Sequence, residues 1–175
     1  MLDTIREFIL KSYGKENLHL ERTLYWVREL EPDASEELLI AALSHDIERA
    51  SNPESKDKRT FNTSEEMEKH QTEGGRIMFD FLIDNGYDVA KATRVRELIS
   101  KHEVGGDEEQ DLLKDADSLS WLEVSAPRHI EKRSFPKEEL EKKIIFMFER
   151  ISSDKAQELA RPFYEEAMRM LKEAG

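Results

Sequence analysis

The sequence has 175 residues, 27 of them basic and 39 acidic, for a formal net charge of −12. That length suits one ordinary domain, and the charge disfavours binding to a nucleic-acid backbone. The lack of cysteine excludes disulfides, thiolate metal ligands and cysteine nucleophiles, and no run approaches the roughly 18 apolar residues of a membrane span.

Apolar residues recur at helical spacing from the start. Residues 2–13 carry them at positions 2, 5, 9 and 10, with Gly14 placed to cap the helix end. A second helix is expected over 16–30, with Leu20, Leu24, Val27 and Leu30 on one stripe and a stop near Pro32. Asp33 and Glu36 have capping-box spacing ahead of a helix over 37–50, which holds the most apolar run of the chain. Residues 51–62, rich in Ser, Asn, Pro and charge, read as a connector. Lys56, Lys58 and Arg59 would let it close over a bound phosphate, and a plain solvated connector is the competing reading.

Thr63 and Glu66 open the next helix, which runs to Asn85-Gly86. Asp88 caps another, reaching His102 before Gly105-Gly106. A short helix over 110–124 closes at Pro127, and two more cover 134–151 and 154–172. Nothing alternates with the period of a strand. The expectation is all-α: a single domain over 1–175 with seven to nine helices around one core. The first residues, Met1-Leu2-Asp3-Thr4, lack the basic and apolar regions of a signal peptide, so a cytoplasmic protein is expected.

The chemistry concentrates in a few polar residues that helical spacing turns inward. His45 lies seven residues after Leu38, and Asp46 stands in the same relation to Leu39. His70 is three residues after Met67, His102 three after Ile99, and Asp117 four after Leu113. An ionised carboxylate facing a core costs several kcal/mol unless paired, on the order of a broken buried ion pair. Several imidazoles with carboxylates in one interior are what a divalent cation asks for. A lone inward histidine is more often a hydrogen-bonded core residue, and His70 or His102 alone would be read that way. The adjacent His45-Asp46 pair is harder to explain so, because both groups need partners at once. His129, in a charged stretch from Pro127 to Arg133, is expected in solvent, as are the nearby Arg128, Lys132 and Arg133.

The order of these residues resembles the HD-domain superfamily of metal-dependent phosphohydrolases, whose pattern is a His, a His-Asp doublet and a distant Asp. Leu18-His19-Leu20-Glu21-Arg22 is similar to the first element, Ser44-His45-Asp46-Ile47 to the doublet, and Asp115-Ala116-Asp117 to the last. The resemblance covers about residues 16–124 and implies an all-helical fold with His19, His45, Asp46 and Asp117 as metal ligands. It favours Asp117 over Asp115, a choice that periodicity leaves open. The segments around His70 and His102 resemble elements that hold a second ion in di-metal members and line the pocket in mono-metal ones. Glu48 departs from the pattern of many signalling members, which carry Gly there.

The expected activity is therefore hydrolysis of a small-molecule phosphate ester, such as a nucleotide, by water activated on a divalent metal ion (Mn, Fe, Ni, Co, Zn or Mg). One ion per chain is favoured over two. Arg22, three residues from His19 on the same helical side, is the first choice as phosphate clamp, followed by Arg49 and Lys101. His70, His102 and Glu48 are the available proton-transfer groups. The competing readings are a di-iron oxygenase of HD type, with His70 and His102 as extra ligands, and a non-catalytic binding module. Nucleic acid and membrane are not expected partners, and a homo-oligomer is compatible with the sequence.

Overall fold

The computed structural model describes residues 1–15, 17–51 and 63–174. Beyond its first residue, the connector expected over 51–62 lies outside these. Among the described residues every regular element is helical, as expected from the sequence, and eight helices have nine residues or more.

Helix α1 (Leu2–Tyr13) ends at Gly14, whose φ of 68° is the left-handed conformation that the missing Cβ permits. Helix α2 (Leu18–Leu30) buries Leu20, Leu24 and Val27 on its stripe. Helix α3 (Glu36–Ser44) is apolar all round and lies centrally, touching α1, α2, α6 (Val89–Ile99) and α7 (Glu108–Ser120). Its cap is Ser35, whose hydroxyl accepts from the Leu38 amide at 3.1 Å, rather than the expected Asp33.

The helix expected over 37–50 is broken. Helix α3 stops at Ser44 and the short α4 (Glu48–Ser51) follows a turn. Through the turn, amides bond three residues back: Ile47 to Ser44 at 3.0 Å and Arg49 to Asp46 at 3.0 Å. The Asp46 carbonyl accepts from Tyr13 Oη at 2.6 Å, which ties α1 to the turn.

Helix α5 (Ser64–Asp84) has the capping box read from the sequence, Thr63 with Glu66. It packs on α6 at Gly74-Gly75. A Cβ at Gly75 would stand 2.8 Å from the Arg96 carbonyl, so only glycine allows this approach. Asp88 caps α6 through the Lys91 amide at 3.0 Å, and Asp107 with Gln110 caps α7. Pro127 does not close the chain's helical run after α7. A π turn (Trp121–Ser125) carries it into α8 (Ala126–Lys132), whose first turn tolerates a proline without an amide hydrogen. Helices α9 (Lys137–Glu149) and α10 (Asp154–Glu173) pack together and complete one shared core.

Candidate metal centre

The inward histidines arrive by two routes. His19 and His70 project from within α2 and α5. His45 and His102, expected inside helices, instead sit in the turns just after α3 and α6. There they use the same device: each Nδ1 reaches the carbonyl three residues back, His45 to Ala42 at 3.0 Å and His102 to Ile99 at 2.7 Å. A carbonyl only accepts, so in both rings Nδ1 carries the proton and Nε2 is left with a lone pair.

His19 reaches the same state differently. The Ser120 hydroxyl donates to the His19 carbonyl at 2.7 Å, so it must accept from His19 Nδ1 at 2.8 Å. The Nε2 atoms of His19 and His45 consequently face each other at 3.3 Å. Asp117 Oδ1 lies 3.0 Å from the first and 3.3 Å from the second. Three electron-rich atoms converging on one point need a proton or a cation between them. Without a cation, burial lowers the His45 pKa, but the Asp117 and Asp46 carboxylates and the Ala42 carbonyl together push it up to about 9.

Asp46 closes the cluster, its Oδ2 lying 4.0 Å from His19 Nε2. Its Oδ1 accepts from Arg49 Nε at 2.9 Å and lies 2.9 Å from His70 Nε2. Burial opposes ionisation, yet the Arg49 guanidinium and the two imidazoles hold the carboxyl well below its usual range. His70 Nδ1 lies 2.8 Å from Glu48 Oε2, so the ring bridges two carboxylates. Burial pushes the His102 pKa down to about 4, keeping it neutral. Among the described residues, three groupings offer ligand atoms within 4.8 Å of one another: His19, His45 and Asp117; His45, Asp46 and His102; His70, His102 and Glu103. The imidazole and carboxylate donors fit a divalent cation of the borderline type.

Not every expected site residue joins the cluster. Arg22 turns to Glu123, its Nε and Nη2 each donating at 2.7 Å, and stacks over the Tyr25 ring at 4.0 Å. Its guanidinium is committed to that carboxylate, which the π turn after α7 brings to α2. Lys101 is exposed while its neighbour His102 is buried. Arg49 is within the site, on Asp46. Asp115 faces away and holds the start of α10 through the amides of Ser152 and Ser153, at 2.7 and 2.9 Å. His129, expected in solvent, is half-buried between the rings of Trp121 and Phe135.

Sequence reasoning missed Arg150, just past α9. It donates to Asp117 Oδ2, to Glu103 Oε2 at 2.6 Å and to Ser118 Oγ at 2.8 Å. The side chains of Arg150 and Glu103 are 7% exposed. Glu103 Oε1 lies 3.9 Å from Arg49, so each carboxylate at the centre has its own arginine and both arginines meet at Glu103. Although burial works against it, Arg150 brings the Glu103 pKa down to about 2.

A protein-family profile described as "Domain of unknown function (DUF4202)" matches residues 5–171. The chain belongs to the DUF4202 family. No curated protein matches this DUF4202 sequence. Solved structures do resemble it. One is a predicted HD superfamily hydrolase from an uncultured Thermotogales bacterium, 20% identical with a TM-score of 0.66, covering 99% of this chain and 93% of that one. Another is Bacillus subtilis YpgQ in complex with ADP, 19% identical with a TM-score of 0.66, covering 99% and 95%. The DUF4202 protein therefore has the HD-type fold that its His, His-Asp and Asp elements resemble.

Proposed function

We propose that this protein is a metal-dependent phosphohydrolase acting on a nucleotide or a related small phosphate ester. The observation that carries the reading is the convergence of His19 Nε2, His45 Nε2 and Asp117 Oδ1, with both Nδ1 atoms already tied to the protein. A structurally similar protein crystallised with ADP supports the nucleotide class. His19, His45, Asp46 and Asp117 would hold a divalent cation, which would supply Lewis acidity toward a phosphoryl oxygen and a more acidic water.

The chain's own residues do the rest. Ser120 and the Ala42 carbonyl fix the two imidazoles so that the ligand atoms need no rearrangement. Side-chain exposure is 13% at His19 and 16% at Asp46, against 1% at His45, so substrate approaches on the His19–Asp46 side. The line Asp46–His70–Glu48 can carry a proton away from that side, with His70 as the shuttle. His102 Nε2, neutral by burial, is an alternative acceptor.

Metal analysis of protein purified without added metal, followed by a panel of phosphate esters, tests the reading. About one ion per chain with ester turnover is expected. Turnover of none of the esters in any of the divalent metals named above overturns it. The grouping of His70, His102 and Glu103 favours a second reading, a two-ion oxygenase; two irons per chain and oxygen uptake would select it.

A further inference from the structure

Helix α9 places Lys143, Phe146 and, one residue past its end, Arg150 at spacings of three and four, so they share one side. Arg150 fixes where that side lies, since it bonds Asp117. Its Cζ is 5.6 Å from the centroid of the Phe146 ring. Lys143 Nζ is 4.9 Å from the same ring and 6.0 Å from the ring of Trp121. Trp121 in turn follows Ser120, which holds His19. A cation and an aromatic ring are thus linked to Asp117 through Arg150 and to His19 through Trp121 and Ser120, on a helix that the resembling 16–124 segment does not include.

The ring is the anomaly. Leu140, Ile144 and Met147 of α9 are buried, whereas Phe146 is 40% exposed. The ammonium lies in the field of Glu103 and Asp117 as well as of Arg150 and Arg49. Burial pushes its pKa down to about 8, so it is still mostly charged at neutral pH.

We propose that α9 is the substrate-recognition wall of this site: Lys143 contacts an anionic phosphate group and the exposed face of Phe146 stacks on the base of a nucleotide. The inference rests on the hydrolase reading above for its placement of substrate at the cluster. A base–aromatic stack requires no particular base, only a flat face, so the wall selects nucleotides as a class over bare phosphates.

The test compares two probes, ADP and inorganic pyrophosphate, by calorimetric titration of the full-length Mn²⁺-loaded protein. Wild type is expected to bind ADP more tightly than pyrophosphate. F146A should reduce that preference by about tenfold, the size of one lost stack, while F146Y keeps it. K143M should weaken both probes. Phe146 is exposed but Lys143 is partly buried, so thermal unfolding of the variants checks that the fold is retained. The proposal is overturned if wild type binds neither probe, if F146A keeps the full preference, or if K143M binds both as wild type does. Ester hydrolysis measured alongside separates the two claims. A reduced preference in F146A without any wild-type turnover upholds the wall and sinks the hydrolase reading; turnover with the preference intact does the reverse.

Discussion

Arg150 grips the Asp117 carboxylate by one oxygen, donating to Oδ2 and leaving Oδ1 to face His19 at 3.0 Å and His45 at 3.3 Å. The contact fixes the carboxylate with a single oxygen turned to the two histidines, and Glu103 and Ser118 fix Arg150 in turn. Arg150→Met should therefore weaken metal binding by about 10- to 100-fold, the usual effect of losing a partner of a ligand. It should also lower stability by about 3 kcal/mol or more, because two buried carboxylates lose their counter-charge. Arg150→Lys keeps the charge without the fork and should fall between. Equilibrium dialysis with Mn²⁺ and urea unfolding measure both effects; wild-type affinity in Arg150→Met would refute the positioning role.

Asp46 has a different place, with Oδ1 shared by Arg49 and His70 and Oδ2 turned toward His19. Asp46→Ala should reduce hydrolysis to background while the helices remain, since the recorded partners of the removed carboxylate are site residues, Arg49, His70 and His19. Circular dichroism checks the second half of that expectation. Full turnover on every ester that the wild type cleaves would contradict the mechanism.

The helical pattern and the inward polar residues were legible because burial leaves a periodic trace, and each of His19, His45, Asp46, His70, His102 and Asp117 lies at the cluster. What was illegible has physical causes. The stop of α3 at Ser44 comes from three-back bonding in a turn, which changes no side-chain pattern. Pro127 has the look of an end because a proline usually is one, yet the π turn just before it, where the Ala126 amide bonds five residues back to Trp121, carries the helical run past it. Arg150 did leave a trace: it is three residues from Met147, at the edge of the stripe that buries Leu140, Ile144 and Met147. Surrounding charge in α9 masks that spacing unless each cation is tested for its face.

Arg22 illustrates the opposite error, a residue with the right spacing and a different partner. Its two bonds to Glu123, with Trp26 Nε1 donating to the same carboxylate at 2.9 Å, brace α2 against the π turn. Arg22→Gln should accordingly cost stability, about 1 kcal/mol for a pair that is partly exposed, and leave KM for the ester unchanged. A clamp would show the reverse. Urea midpoints and steady-state kinetics on one variant decide between the two roles.

His129 sets part of the acid limit of the fold. Its ring lies between Trp121, at a centroid distance of 6.2 Å, and Phe135, at 4.9 Å. Among the described atoms its Nδ1 is buried without a hydrogen-bond partner. Burial first, and then the charges of Arg128 and Lys132, push its pKa down to about 4, against about 6.5 in an unfolded chain. Between those values the unfolded state binds the proton and the folded state does not, so the unfolding free energy rises with pH across the window. This contribution is fully present above about pH 6.5 and is lost as the pH falls toward 4. His129→Phe retains the aromatic contacts and removes the titration. Its urea midpoint should consequently fall less than that of wild type between pH 6.5 and 4, whatever the carboxylates contribute to both. Parallel midpoint profiles would show that folding leaves the His129 pKa unshifted, and would overturn this assignment.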